Sequence, residues 1–79
     1  MPKYHLNVFN DVEAPDEEGI DRPNLEIAKA EAIAGARDLV ATQIRSGEPV
    51  YRSHRIEITD PAGVVLHTVA FGDIIDLRP

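Results

Sequence analysis

From Leu25 to about Arg45 the chain carries the signal of one long helix, standing alone between two segments composed of strand and turn patterns. Leu25, Ala28, Ala32, Ala36, Leu39, Val40 and Gln43 or Ile44 recur at three- and four-residue spacing, which is the apolar stripe of an amphipathic helix. Both ends are marked. Asn24 after Pro23 can accept a bond from an unpaired amide, and Glu26 sits where the helix dipole favours a carboxylate. Arg45, then Ser46-Gly47 with Pro49 beyond, supplies the stop. A helix of roughly five to six turns with an apolar stripe has to cover another element, and the flanking strands are the candidates, whether or not both hairpins join one sheet.

Tyr4 to Phe9 alternates with Tyr4, Leu6 and Val8 on one face, a first strand. Asn10 to Glu18, with Pro15 and the acidic run Asp16-Glu17-Glu18, reads as a surface loop, and Gly19-Ile20-Asp21 as a short returning strand. After the helix, Arg55 to Thr59 and Val64 to Val69 alternate around Asp60-Pro61-Ala62-Gly63. Proline after aspartate suits a type I turn, and Gly63 suits the left-handed residue that closes a three-residue hairpin loop. Pairing Asp60 with Val64 sets Ile58 opposite Leu66 and Ile56 opposite Thr68 on the core face. Glu57 then faces His67 on the other side, and Val65, Val69 and Phe71 follow on that outer face. The tail from Gly72 to Leu77 is too apolar to hang free and is expected to pack as an irregular or short helical turn. The expected architecture is α+β: one long helix on a small, mostly antiparallel four-stranded sheet in the order ββαββ, a single domain over residues 1–79.

Composition removes several classes of function. Without cysteine there is no disulfide framework, thiolate metal site, iron–sulfur cluster or cysteine nucleophile. The start Met-Pro-Lys-Tyr-His lacks a signal-peptide core, and no run approaches the roughly 20 apolar residues of a membrane span, so a cytoplasmic protein without membrane association is expected. A net charge of -6 with dispersed Lys and Arg disfavours nucleic acid. At 79 residues the core is thin, and self-association is one route to further stability.

Met1-Pro2-Lys3-Tyr4, Pro15 to Gly19, Asn24-Leu25-Glu26, Ala28, Ala36 to Leu39 and Arg55 to Asp60 with Gly63, Val69 and Phe71 together resemble a family of very small bacterial proteins classified only as a domain of unknown function. The resemblance spans nearly the whole chain and implies the same strand and helix order. It brings no activity, ligand or catalytic residue. His5 and Ala70 depart from it, the first where the family usually carries an aromatic or apolar residue, the second where proline is frequent.

Three constellations could carry chemistry. Asp16-Glu17-Glu18-Gly19 offers hard oxygen ligands but lacks the alternating spacing of a calcium loop, so a solvated turn is the better reading. His5, Glu57 and His67 fall on the sheet face away from the helix and are ligand types that zinc accepts, against a simpler reading as exposed polar groups. Thr42, Ser46, Ser53, Thr59 and Thr68 lie in no nucleophile motif, and no phosphate loop or dinucleotide fingerprint is present, so no catalytic residue is assigned and an enzyme is not expected. Neither cofactor nor metal is assigned. Val65, Val69 and Phe71 form an apolar surplus on the outer face, and Ile27, Ala30, Ala34 and Ala41 a second, helix-favouring stripe. These features favour a protein-interaction module, working through a protein partner or as a homodimer. The alternative is a small ligand- or metal-binding protein that uses His5, Glu57 and His67.

Overall fold

A computed structural model describes all 79 residues, Met1 to Pro79. In chain order the elements are β1 (Lys3–Phe9), β2 (Glu13–Ala14), β3 (Ile20–Asp21), α1 (Leu25–Arg45), β4 (Arg55–Thr59), β5 (Val65–Ala70) and the single turn α2 (Phe71–Ile74). The two hairpins share one antiparallel sheet, because β1 and β4 pair from His5↔Thr59 to Phe9↔Arg55. β5 flanks β4, and β2 and β3 both pair with the far edge of β1. The helix spans the residues that its stripe and caps imply. None of the helices is long and apolar enough to cross a membrane.

The far edge is more structured than the sequence suggests. Glu13–Ala14, within the stretch expected to be loop, pairs with Val8 and Phe9, while Ile20 and Asp21 pair with Tyr4 and Lys3. The return strand is therefore split into two pieces, and the sheet has five strands where four were expected. β1 is longer than Ile20-Asp21 can cover, and its remaining backbone groups need partners of their own.

Both ends of α1 are capped by the residues that predict them. Asn24 Oδ1 accepts from the Ile27 amide at 3.0 Å. At the other end the Gly47 amide donates to Ile44 and the Glu48 amide to Gln43, at 3.1 and 2.9 Å, the paired bonds of a Schellman motif. Gly47 has φ +74, a left-handed conformation in which a Cβ would be strained. The helix meets the sheet through small side chains. Ala28, Ala32 and Ala36 are wholly buried, and a Cβ placed on Gly35 would stand 3.7 Å from Ile56 Cδ1. With so little bulk on the helix, the larger buried side chains come mainly from the sheet and its flank, Tyr4, Ile56, Ile58, Val69 and Phe71.

The β4–β5 hairpin departs from the expected register in one place. Its turn forms as the sequence implies: the Gly63 amide donates to the Asp60 carbonyl, Gly63 has φ +87, and Asp60 Oδ1 accepts from both Ala62 and Val64 amides. Thr59 then faces Val65, but the ladder shifts before the next pair, so that His67, not Leu66, lies opposite Ile58. A bulge inserts one residue, and side chains alternate, so every residue beyond it changes face. Val69 is 4% and Phe71 0% exposed, so both belong to the core and leave the outer apolar patch; His67 moves to the helix side, and Thr68 takes the outer position. The unshifted register would bury Leu66 and Thr68 instead. The exchange gains about one large apolar side chain, roughly 1.5–3 kcal/mol, enough to favour the bulge.

Three substitutions test this core. Phe71→Ala is expected to cost about 3–5 kcal/mol in urea unfolding, whereas Thr68→Ala stays within about 0.5 kcal/mol; similar small costs for both would refute the shifted register. Ala32→Leu is expected to cost about 1–3 kcal/mol by forcing helix and sheet apart. An unchanged midpoint would show that the contact has slack.

Candidate functional site

On the sheet face away from α1, the polar residues of β1 serve to fasten the loop that follows it. His5 Nδ1 lies 2.6 Å from the Asp16 carbonyl oxygen, which can only accept, so Nδ1 carries the proton. Asn7 Oδ1 accepts from the Asp16 amide at 2.8 Å, and Asn7 Nδ2 donates to Thr59 Oγ1 at 3.3 Å. The Asp16 carboxylate accepts from the Gly19 amide at 3.0 Å and from Leu6, in the interval between β2 and β3, at 3.4 Å. Asp16 thus acts where a strand is missing: its side chain takes up an edge amide of β1 that neither short strand reaches. Glu17 and Glu18 remain exposed. The acidic run is a turn built around one carboxylate, as its spacing suggested.

The candidate ligands from the sequence do not converge. Glu57 lies opposite Asn7 and Thr68, and its Oε2 accepts from Arg55 Nε at 2.7 Å, so its partner is a neighbour on its own strand and not His67. The Arg55 guanidinium in turn lies 4.5 Å over the Phe9 ring. His5 and Glu57 share the outer face, whereas His67 stands in register with Ile58 on the helix side. The bulge accounts for this separation. No group of three or more His, Asp or Glu side chains converges anywhere in the fold where it could hold a metal ion.

Of the expected interaction residues only Val65 is on the surface, 50% exposed, with Val64 and Leu66 exposed beside it. Val64 leads into β5 and Val65 and Leu66 begin it, and no other strand covers its outer edge. From Val64 to Ala70 this edge contains no charged residue. The tail does not close over it. Ile74 and Ile75 pack against the core, and Leu77 joins Ile44, Val50, Arg52, Gly72 and Ile75 around a groove of about 390 Å³.

Sequence reasoning missed this groove, and it missed His54 in the same connection. Its ring lies 4.8 Å from that of Tyr51 and 6.0 Å from that of Phe71, and its Nε2 is 3.7 Å from the Asp11 carboxylate. Its Nδ1 is buried without a partner. Residues 48–54 show no periodicity, so only the aromatic residues in Val50-Tyr51-Arg52-Ser53-His54 hinted that this connection is packed.

A helix laid on an antiparallel sheet with an uncovered edge and a side groove defines a small α+β domain. The chain belongs to the family described as Domain of unknown function (DUF6894), which matches residues 3–72. Comparison with curated proteins and with solved structures finds no match.

The anchoring role of Asp16 can be measured. Asp16→Ala leaves two amides without their acceptor and is expected to cost about 1–3 kcal/mol, with faster hydrogen exchange at Leu6 and Gly19. Asp11→Ala removes the long contact of a mostly exposed carboxylate to His54 and should stay within about 0.5 kcal/mol. Equal effects would mean that the loop is held in some other way.

Proposed function

We propose that this protein is a protein-interaction module that associates with a second copy of itself through the outer edge of β5. The observation that carries the reading is the contrast between the two edges of the sheet. On the β1 side the edge consists of two strands of two residues each, interrupted by the Asp16 turn and bearing Glu13 and Asp21. Short strands and charges are the usual means of keeping an edge from pairing. On the other side β5 runs six residues without a charge or a proline, and Val64, Val65 and Leu66 are exposed at its start.

A second copy fits this edge on electrostatic grounds. The chain carries a net charge of -6, so two copies repel over most of their surfaces, yet an antiparallel pairing of β5 with β5 brings no like charges face to face along the strands. The pairing is self-complementary, as a two-fold interface requires, and main-chain bonds would supply its register. It would also cover apolar surface that a core of nine buried apolar residues leaves outside.

Light scattering after size exclusion provides the test. The wild-type chain is expected to elute as a dimer and Val65→Lys as a folded monomer. Amide protection along β5 should rise with protein concentration in the wild type only. A wild-type monomer at millimolar concentration would end the proposal, as would a Val65→Lys variant that remains dimeric.

A further inference from the structure

Independently of the β5 edge, the geometry points to the groove between the end of α1 and the tail as a binding site for a small amphipathic carboxylate, an aliphatic body with one anionic end. Four of its six lining residues, Ile44, Val50, Ile75 and Leu77, are aliphatic. Its volume of about 390 Å³ lies at the lower end of the roughly 300–1,000 Å³ typical of small-molecule sites. Leu77 is 84% and Ile44 64% exposed, so the walls present apolar surface that water covers at a cost.

Arg52 supplies the polar end. It is the one ionisable residue lining the groove, and none of the five ion pairs of the fold uses it. Arg52 shares this lack of a carboxylate partner with Lys3, Arg37 and Arg45, and it is the one of the four that lines the groove. Asp76, next to the lining residue Leu77, is engaged by Arg78 at 2.8 Å and does not serve Arg52. A planar guanidinium beside an apolar wall matches a carboxylate through two parallel bonds while the aliphatic body covers the wall.

Gly72 keeps the arginine in place. Its amide donates to the Arg52 carbonyl at 3.3 Å, and a Cβ on Gly72 would meet Arg52 Cβ and Cγ at 3.1 and 3.3 Å. A methyl group there would press on the Arg52 stem, which would have to give by a few tenths of an ångström. The net charge of -6 argues against recruitment of simple anions, so the apolar body has to contribute much of the affinity.

Octanoate is a suitable probe, titrated into the full chain labelled with nitrogen-15, with 1-octanol as the uncharged control. Saturable amide shifts are expected at Ile44, Val50, Gly72, Ile75 and Leu77 with octanoate, and weaker binding of octanol at the same amides. Arg52→Gln should lower octanoate affinity about tenfold, as expected for loss of a charge-assisted pair, and leave octanol unaffected. Gly72→Ala should weaken octanoate in the same direction. Absence of saturable shifts would overturn the site, as would shifts centred elsewhere, equal binding of the two probes, or an Arg52→Gln variant that binds octanoate like the wild type.

Discussion

The whole arrangement depends on how closely α1 approaches the sheet. Ala28, Ala32 and Ala36 present almost no bulk, and Gly35 presents none, so the helix axis can settle near β4 and leave the volume between the layers to Ile56, Ile58, Val69 and Phe71. In so small a domain this interlocking is most of what burial can contribute, because only nine apolar residues are buried. The caps at Asn24 and Gly47 keep the stripe aligned over its full length by ending the helix in fixed places.

That close approach is also what makes the single bulge in β5 worthwhile. A helix of alanines leaves space that Leu66 and Thr68 would fill less completely than Val69 and Phe71. Inserting one residue into the strand exchanges the two sets. The consequence reaches the surface. Phe71, fully buried, becomes the hub against which His54 packs, and its amide donates to the His54 carbonyl at 2.8 Å, which ties the 48–54 connection to the start of α2. From there the tail turns back along the end of α1 and forms the wall of the groove.

The two sheet edges show opposite treatment of the same problem. Backbone groups along β1 are met by β2, by β3 and, between them, by the Asp16 carboxylate, which does with a side chain what a continuous strand would do with its main chain. The outer groups of β5 have no such partner within the chain. One edge is left open and uncharged while the other is broken into short, acidic pieces, the usual means by which an edge is kept from pairing.

What the sequence determined by itself were the features set by local physics. The limits of α1 followed from its stripe and caps, the hairpin turn from Asp60 and Gly63, and the inner face of β1 from strict alternation at Tyr4, Leu6 and Val8. The acidic turn at Asp16 was also legible, since its spacing fits no cation loop. Tertiary structure alone decided the rest. The bulge is a choice between two registers, each with apolar residues to bury, and it depends on the space left by a helix 20 residues away in sequence. It removed Val69 and Phe71 from the surface and parted His67 from His5 and Glu57. The groove joins Ile44, Arg52 and Leu77, which no periodicity links, because their meeting depends on where the tail comes to rest once Phe71 is inside.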